Sequence, residues 1–372
     1  MCIIAGYTGK KTAAPILIEM LKDREFIDGG LSTGIATIHE GKVYMRKVVG
    51  DVETLLRQTD ALSLPGTTGI IHSRTGDDHV EHAHPFMSDD GELALVLNGT
   101  TWGGGSPEYF KARDEIMNGF LDRGIKIRSA VFKASPDKVH LSVLKNGYKY
   151  HDTEPYALMI GDKVKDSPNE TLRDDIARAT RETLEALPID VITLSVHARL
   201  ADTITVGSIT RPMAIAMGEG ECYMSTVPFA IPDEITSRGS VFFTPPTTVL
   251  QVTPDGINIR STSFAETRVE QLDFRTAKEI RADMENTLMV GEENAKDIYD
   301  ISHREKWDES VWRKPLVDSK YVLENSRLKP HGSAIYEGLW SFYKEGRLGM
   351  KVGMRYYNRI PPRRIMKFWL EY

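Results

Sequence analysis

Hydrophobic and polar positions follow two different patterns along the chain. Residues 169–187 carry leucine, isoleucine and alanine near every third or fourth position, which predicts an amphipathic helix. Short apolar runs at residues 157–160 and 191–195 predict short buried strands. Two more strands are predicted within residues 247–259, on either side of the turn-forming sequence Pro254-Asp255-Gly256. This mixture predicts an α+β or α/β fold.

Glycines later in the chain indicate turns rather than a nucleotide site. Gly218 and Gly220 lie between two apolar runs of residues 211–232, where they predict the turn of a hairpin. The sequence contains neither the glycine-rich fingerprint of dinucleotide-binding domains nor the P-loop pattern. We therefore assign no cofactor to this chain.

The first candidate for chemistry is Cys2, which follows Met1 and begins the apolar run CIIAGY. A small side chain in this position favours removal of Met1, which would leave an α-amine beside the thiol. An unperturbed α-amine has a pKa of about 8, so part of it can accept the thiol proton at neutral pH. The alternative is that Cys2 is a small buried hydrophobic residue. Cys2 alone does not decide between these interpretations.

Further segments of the first hundred residues favour the interpretation of Cys2 as a nucleophile. After CIIAGY come GKKTAAPILIEMLKDREF, then LPGTTGIIHSRT with His72-Ser73-Arg74, then HAHPF, and then GELALVLNGT with Asn98-Gly99. In this order and at these spacings, they resemble the class II glutamine amidotransferase domain. This is the N-terminal-nucleophile domain of the family that includes glucosamine-6-phosphate synthase and amidophosphoribosyltransferase. The resemblance covers about residues 1–262 and departs from the family at Ile3, where glycine is usual.

The resemblance implies a role for each of five residues. Cys2 is the nucleophile, and the side chain of Asn98 with the main-chain N–H of Gly99 forms the oxyanion hole. Arg74 binds the α-carboxylate of glutamine through its guanidinium fork, and Thr75 adds a hydroxyl to that pocket. Without the resemblance, Asn-Gly would predict a turn and Arg74 a surface residue. With it, we expect an enzyme that hydrolyses glutamine to glutamate and ammonia and passes the ammonia to a partner enzyme.

The segment after Arg74 departs from the family pattern. The family continues with an aromatic residue and Ala-Thr-His-Gly, whereas this chain has the shorter, acidic TGDDHVEHAHP. The family aspartate that holds the α-ammonium of glutamine has its nearest counterpart in Asp137, which matches only with a gap. The arginine of an early family loop is missing, since Phe26 leads into IDGG. Two alternatives therefore stay open: hydrolysis of another amide, such as a γ-glutamyl compound, and a non-catalytic domain that senses a metabolite.

The same segment also raises the alternative of a metal site. Six possible ligands fall within eight positions, namely Asp77, Asp78, His79, Glu81, His82 and His84. These side chains suit zinc or another divalent ion. Their spacing matches no metal motif, and no HExxH sequence occurs. We favour a polar loop beside the substrate pocket and assign no metal.

The resemblance also implies the fold, a four-layer αββα sandwich of the N-terminal-nucleophile type within the α+β class. Two antiparallel sheets would face each other, with helices outside and residue 2 at the cleft between them. We place this domain at residues 1–265 and a small, helical, basic extension at residues 266–372. Within the extension, residues 271–289 predict a helix. The acceptor domains of the family's synthetic members are too long to fit in it.

The extension ends in a basic segment with interleaved aromatic residues. Residues 327–372 contain ten lysines and arginines against three glutamates. One interpretation is a small nucleic-acid-binding module, since cations and stacking rings suit phosphates and bases. Another is a docking surface for an ammonia-accepting enzyme. We favour a third, a basic cap whose aromatic residues form a small core against an acidic main domain.

Composition narrows the class of protein. The chain has 372 residues, enough for two domains, and its net charge of −6 argues against a globally basic nucleic-acid binder. Its only cysteines are Cys2 and Cys222, so we expect no disulfide framework and a reducing compartment. Neither a membrane-length apolar stretch nor a signal-peptide pattern is present. We expect a cytoplasmic homo-oligomer that binds a small-molecule amide, with no membrane or nucleic-acid partner.

Overall fold

The computed structural model describes residues 2–27, 29–76, 78–99, 107–135, 142–209, 211–239, 241–261, 331–357 and 360–371, with isolated positions between 278 and 289. The helices are α1 (Ala13–Leu21), α2 (Val52–Gln58), α3 (Pro107–Asp122), α4 (Glu154–Val164), α5 (Asn169–Ala186), α6 (Asp233–Thr236) and α7 (His331–Lys344). The strands are β1 (Ile3–Thr8), β2 (Ser32–His39), β3 (Lys42–Val49), β4 (Thr68–Arg74), β5 (Phe86–Met87), β6 (Leu93–Gly99), β7 (Phe132–Lys133), β8 (Tyr148–Lys149), β9 (Val191–His197), β10 (Ile204–Ser208), β11 (Ala214–Gly218), β12 (Glu221–Ser225), β13 (Val241–Phe243), β14 (Thr248–Thr253), β15 (Gly256–Ser261), β16 (Leu348–Tyr357) and β17 (Ile360–Leu370). Single 3-10 turns occur at Arg24–Ile27, Ala61–Ser63, Val80–His82 and Pro228–Ala230.

The first sheet has the strand order β13-β11-β12-β1-β4-β2-β3, and its neighbouring strands are antiparallel. β1 lies in its middle, and all six residues of β1 are buried. Because successive side chains of a strand point to opposite faces, Ile3 and Ala5 share a core with α1, whereas Ile4 faces the second sheet. Both faces of the strand are therefore covered, which explains why its sequence is mostly apolar.

The second sheet has the order β15-β14-β10-β9-β6-β5 and is also antiparallel. Val96, Leu194 and Val206 on its inner face pack against the first sheet. On its outer face, Ile160 of α4 and Ile176 of α5 belong to a separate core with strand residues. The layers are therefore helix, sheet, sheet and helix. The predicted αββα sandwich of the α+β class is confirmed.

Most of the elements predicted from hydrophobic patterns are present. The helix predicted at residues 169–187 is α5, which ends at Ala186, and residues 191–195 lie in β9. The two predicted hairpins are β11 with β12 and β14 with β15, with Gly220 at a positive φ of 69° in the first turn. The predicted helix at residues 271–289 lies largely outside the described residues.

The strand predicted at residues 157–160 is wrong, because these residues lie inside α4. Pro155 stands in the first turn of this helix, where its missing N–H costs no hydrogen bond. Periodicity cannot separate a short buried strand from a buried helical segment. Ala157, Leu158 and Ile160 are all buried, which removes the polar positions that would have shown a helical period.

The described end of the chain packs on the helical layer of the first sheet. α7 is followed by the hairpin of β16 and β17, so this part of the predicted helical extension is a helix and a hairpin. Phe342 and Phe368 are buried, and the ring of Phe368 lies 6.1 Å from that of Phe229. The Tyr343 hydroxyl donates to the Asp233 carboxylate at 2.9 Å. These contacts are those expected of a cap with an aromatic core.

Charged contacts continue from the hairpin to the main domain. Arg364 of β17 forms ion pairs with Asp51 and Glu53 at the start of α2. Its guanidinium also lies over the ring of Phe26, 4.3 Å from the centroid.

Among the described helices, none combines the length and apolar character that a membrane span requires.

Candidate active site

Pairing of β1 with β4 brings together Cys2 and Arg74, two of the site residues predicted from the sequence. The antiparallel register places Ile3 opposite Ser73. Continued by one residue, this register sets Cys2 beside Arg74 at the same end of the sheet. In the facing sheet, β6 ends at Asn98 and Gly99. The candidate site therefore lies at one end of the cleft between the two sheets.

Asn98 contacts both main-chain polar atoms of Cys2. The Cys2 N–H donates to Asn98 Oδ1 at 3.2 Å, and Asn98 Nδ2 donates to the Cys2 carbonyl oxygen at 2.6 Å. Asn98 is only 4% exposed, so the two hydrogen bonds satisfy a buried amide. The reciprocal pair also fixes which end of the amide is the donor. Cys222 is remote from this contact, because it pairs with Thr8 at the other end of β1.

Gly99 allows β6 to approach β9 closely at the site. A Cβ added at residue 99 would lie 2.4 Å from Val191 Cγ1 and 2.7 Å from the Asp190 carbonyl oxygen. Both distances are too short for real carbon contacts, so residue 99 must be glycine for this strand pairing. The main chain next to Asn98 is therefore held against β9.

Arg211 is a site residue that the sequence did not identify. Its Nη2 donates to Asp190 Oδ2 at 2.6 Å, and its Nη1 lies 3.5 Å from Asn98 Oδ1. Arg211 thus stands next to the same oxygen that accepts from Cys2. The sequence shows Arg211 only as part of an Arg-Pro pair just before β11. Its partner Asp190 precedes a different strand, so the two residues meet only in the folded structure.

Arg74 ends β4 and is already engaged on one side. Its Nη1 donates to Asp78 Oδ1 at 2.8 Å and to the His82 carbonyl oxygen at 3.2 Å. Thr75 follows it and is half-buried, whereas Asp137 lies outside the described residues. The geometry therefore places Cys2, Asn98, Gly99, Arg74 and Thr75 at one end of the cleft and leaves Asp137 without a position.

His82 holds Asp78 from the other side. Its Nδ1 is hydrogen-bonded to Asp78 Oδ2, and its Nε2 lies 2.9 Å from the Ser129 carbonyl oxygen. Burial alone would raise the pKa of Asp78, but the hydrogen bonds and charges of His82 and Arg74 outweigh it. They hold the pKa of this carboxyl well below its usual range, so Asp78 is ionised at neutral pH.

The buried His72 and His84, together with the half-buried His151, form the wall behind this ion pair. The rings of His72 and His84 are stacked with centroids 3.8 Å apart, and His151 lies 5.3 Å from His84. Burial, assisted by the charge of Arg74, lowers the pKa of His72 to about 3. Burial and the neighbouring histidines likewise lower the pKa of His84 and His151. These rings are therefore neutral at physiological pH and provide packing rather than charge.

His72 also connects β4 to the strand that carries Asn98. Its Nε2 lies 3.2 Å from the Leu97 carbonyl oxygen, which can only accept, so Nε2 is the protonated nitrogen. The bond crosses from one sheet to the other, one residue before Asn98. It helps to keep the two strand ends in register across the cleft.

Glu25 supports the Arg74 side of the site from below. Its carboxylate accepts from the Val52 N–H at 3.0 Å and from the Ser73 hydroxyl at 3.0 Å. The Ser73 hydroxyl in turn accepts from the Gly30 N–H at 2.8 Å. Burial raises the pKa of Glu25 to about 7, although these hydrogen bonds favour the charged form.

The acidic segment considered as a metal site contains carboxylates that form ion pairs. Asp78 is paired with Arg74 and His82, and Glu81 with Lys47 at 3.4 Å. Among the residues that the structure describes, no three histidine, cysteine or acidic side chains come together as metal ligands. Asp77 lies outside that set.

Sequence comparison finds relatives with a named activity. The chain is 28% identical over 229 residues to the glutamine–fructose-6-phosphate aminotransferase (isomerizing) of Pyrococcus horikoshii, covering 61% of this chain and 32% of that protein. It is 25% identical over 346 residues to an enzyme of the same name from Thermus thermophilus, covering 91% of this chain and 46% of that protein. The chain thus spans less than half the length of these curated relatives. No family model matches it.

Solved structures share the fold. Glutamine phosphoribosylpyrophosphate amidotransferase from B. subtilis superimposes with a TM-score of 0.52 at 17% identity, covering 77% of this chain and 58% of that one. A structure described as the allosteric regulatory enzyme of purine biosynthesis gives 0.51 at 16% identity, with the same coverage. The similarity to glutamine-dependent enzymes that the motifs indicated is confirmed, and the chain shares the fold of these two structures.

Proposed function

We propose that this domain is a glutamine amidotransferase domain that hydrolyses glutamine to glutamate and ammonia, with Cys2 as its nucleophile. The observation that carries the proposal is the pairing of Asn98 with the main chain of Cys2, at 3.2 and 2.6 Å. An oxyanion donor must lie within hydrogen-bond distance of the carbonyl that the nucleophile attacks. The names of the sequence relatives supply glutamine as the nitrogen donor.

The reaction follows from the groups at the end of β1. Once Met1 is removed, the Cys2 amine takes the proton of its own thiol, and the thiolate attacks the γ-amide carbon. The tetrahedral intermediate then expels ammonia, which receives its proton from the same amine. Water attacks the resulting thioester, glutamate leaves, and the thiol is restored. One residue therefore supplies the nucleophile, the base and the acid.

Asn98 can serve the nucleophile and the oxyanion together. Its amide nitrogen carries two hydrogens, and only one of them is needed for the Cys2 carbonyl oxygen. The second is available for the oxyanion, together with the main-chain N–H of Gly99. Because Cys2 and Asn98 are already fixed to each other, little reorganisation is required as charge develops.

Arg74 is the proposed partner of the substrate α-carboxylate, and Thr75 a neighbour in the same pocket. The site lies at the end of the cleft where Arg74 and Cys2 occupy adjacent strands. We extend the proposal to transfer of the ammonia to an acceptor enzyme, because the relatives are named as aminotransferases. Ammonia consumption by a candidate acceptor, compared with and without this chain and glutamine, tests that extension.

Intact mass combined with a glutamine-like electrophile tests the central proposal. 6-Diazo-5-oxonorleucine alkylates the nucleophile of glutamine-hydrolysing sites and is used at a slight excess over protein. We expect loss of Met1 and one adduct, located on Cys2 by peptide mapping, with Cys222 unmodified. A chain that retains Met1 has no α-amine at residue 2, and this result would contradict the mechanism.

A second candidate is an amidohydrolase that acts on another amide, such as a γ-glutamyl compound. The observation in its favour is that the segment after Arg74 is shorter and more acidic than in the family, and that its Asp78 contacts Arg74 at 2.8 Å, so the surroundings of this arginine are altered. Loss of Met1 without an adduct, followed by hydrolysis of a γ-glutamyl amide but not of glutamine, would support it.

A further inference from the structure

We propose that Arg211 is a positioning residue of the reaction, which holds the Asn98 amide with its oxygen towards the Cys2 nitrogen and its nitrogen towards the developing oxyanion. This inference rests on the proposed function. It gives a role to the ion pair of Arg211 with Asp190, which the mechanism above does not use. Arg211 therefore acts through Asn98 and not on the substrate itself.

The first observation is that the two ends of the Asn98 amide have different kinds of partner. At one end, the Cys2 carbonyl oxygen can only accept, and it accepts from Nδ2 at 2.6 Å. At the other end, Nη1 of Arg211 lies 3.5 Å from Oδ1, and a guanidinium can only donate. A flipped amide would bring two acceptors together at one end and two donors at the other. Because Asn98 is buried, water would not relieve this mismatch.

Removal of Met1 increases the need for the contact with Arg211. In the unprocessed chain the Cys2 N–H can only donate, so it selects Oδ1 of Asn98, at 3.2 Å. The free amine of the processed chain can donate and accept, so this nitrogen no longer distinguishes Oδ1 from Nδ2. If Nδ2 donated to the amine, it would occupy the lone pair that takes the thiol proton. Arg211 opposes that arrangement, so the lone pair stays available to the thiol.

Arg211 is itself fixed at several points. Its Nη2 donates to Asp190 Oδ2 at 2.6 Å, and its Nε donates to the Asp190 carbonyl oxygen at 3.3 Å. The same carbonyl oxygen would lie 2.7 Å from a Cβ at residue 99, so it packs closely against Gly99. The Arg211 carbonyl oxygen accepts from the Ser208 hydroxyl at 2.7 Å. The guanidinium is therefore tied to main chain that lies next to both proposed oxyanion donors.

The positive charge of Arg211 adds to the effect of orientation. Its side chain is 14% exposed and that of Asp190 is 26% exposed, so water screens the charges only in part. A cation beside Oδ1 draws electron density towards that oxygen and makes the Nδ2 hydrogens of Asn98 stronger donors. The proposed oxyanion accepts one of these hydrogens. We therefore expect Arg211 to stabilise the transition state more than the bound substrate.

A double-mutant cycle of Arg211→Gln and Asn98→Ala tests the proposal. Arg211→Gln removes the charge and the guanidinium. We expect kcat for glutamine hydrolysis to fall roughly tenfold to a hundredfold, as for loss of one charged hydrogen bond, while KM changes by less than about threefold. In the Asn98→Ala background, Arg211→Gln should lower kcat by no more than about threefold, because the amide that it orients is then absent.

Arg199→Gln is the matched control. Arg199 follows β9, whereas Asp190 precedes the same strand, and Nε of Arg199 pairs with Glu92 at 3.1 Å. Loss of this ion pair should leave kcat and KM unchanged. Circular dichroism and thermal unfolding check that each variant folds.

Asp190→Asn serves as a second variant, and it carries the test if Arg211→Gln does not fold. This substitution keeps an acceptor for Nη2 of Arg211 but removes the charge that holds the guanidinium. We expect a smaller loss of kcat, roughly threefold to tenfold, as for a weaker hydrogen bond. This loss should also disappear in the Asn98→Ala background.

Three results would overturn the proposal. If the losses of Arg211→Gln and Asn98→Ala multiply in the double variant, Arg211 acts independently of Asn98. A rise in KM at constant kcat would place Arg211 in substrate binding. An unchanged kcat in Arg211→Gln would show that the Asn98 amide needs no second anchor. Failure of the proposed function differs from all three, because the unmodified protein would then hydrolyse no glutamine and Cys2 would take no adduct.

Discussion

The two sides of the candidate site are built in different ways. On the nucleophile side, Cys2 and Asn98 contact each other directly, and Gly99 is fixed by close backbone packing against β9. On the Arg74 side, the contacts are ion pairs of a short acidic loop, with Asp78 as the central residue. The first side matches the family pattern and the second departs from it. In the proposed function, chemistry and substrate recognition therefore belong to separable parts of the cleft.

Replacement of Cys2 is the most severe test of the nucleophile side. Cys2→Ala removes the thiol next to Asn98, and we expect amide hydrolysis to fall by roughly 10⁴-fold or more, as on loss of other nucleophiles. Cys222→Ala is the matched control, because this buried cysteine lies at the opposite end of β1. Ammonia release by pure protein is the measurement. Unchanged hydrolysis in Cys2→Ala would place the chemistry elsewhere.

Asn98→Ala separates transition-state stabilisation from binding. Loss of one oxyanion donor costs kcat about 10²- to 10³-fold, and we expect that loss here with little change in KM. Asn118→Ala provides the comparison, since the Asn118 side chain accepts from the Lys145 N–H far along α3. Steady-state kinetics with glutamine distinguish the outcomes. A rise in KM at constant kcat would assign Asn98 to substrate binding.

Arg74→Lys tests the Arg74 side of the site, and we expect it to change KM more than kcat, the opposite of Asn98→Ala. Lysine keeps the positive charge but cannot form two parallel hydrogen bonds to a carboxylate. We expect KM for glutamine to rise roughly tenfold to a hundredfold while kcat changes less, as for loss of one charged hydrogen bond. Arg123→Lys is a suitable control, because Arg123 forms an exposed ion pair directly after α3. If kcat falls while KM stays constant, the two sides of the site are not separable.

The positions of the three main candidate residues could be predicted from the sequence for a physical reason. Cys2, Arg74 and Asn98 stand at strand ends, and strand ends are visible as the limits of apolar runs. Their roles came from resemblance to a family, and the residues match it in order and spacing. The register that sets β1 beside β4 depends on hydrogen bonds between distant segments, so only the structure supplies it.

Ion pairs were the features that the sequence could not supply. Arg211 and Asp190 are 21 positions apart, and nothing in either segment indicates that they meet beside Asn98. Asp78 was visible only as one of several acidic and histidine residues, which suit a metal as well as an arginine. The conformation of the loop decides which side chain pairs with an aspartate, and a single sequence contains little information about loop conformation.

Glu25 gives the smallest effect and tests whether the Arg74 side carries strain that the nucleophile side lacks. The folded state keeps its proton up to a pKa of about 7, whereas the unfolded chain loses it near 4.5. Between these values unfolding releases a proton, so stability falls as pH rises. The shift corresponds to stability on the order of 3 kcal/mol, which is present in full below the unfolded pKa and is lost as pH rises through the folded pKa.

Glu25→Gln removes that titration and keeps the shape of the side chain. The measurement is the free energy of unfolding in urea of the wild type minus that of Glu25→Gln. We expect this difference to decrease by about 2 to 3 kcal/mol between about pH 5 and pH 8. Glu19→Gln on the exposed face of α1 should show no such change. An increase with pH would mean that the hydrogen bonds from Val52 and Ser73 stabilise the charged carboxylate more than burial opposes it. Glu25 would then be a carboxylate that stabilises the fold in its charged form, as Asp78 does in its ion pair with Arg74.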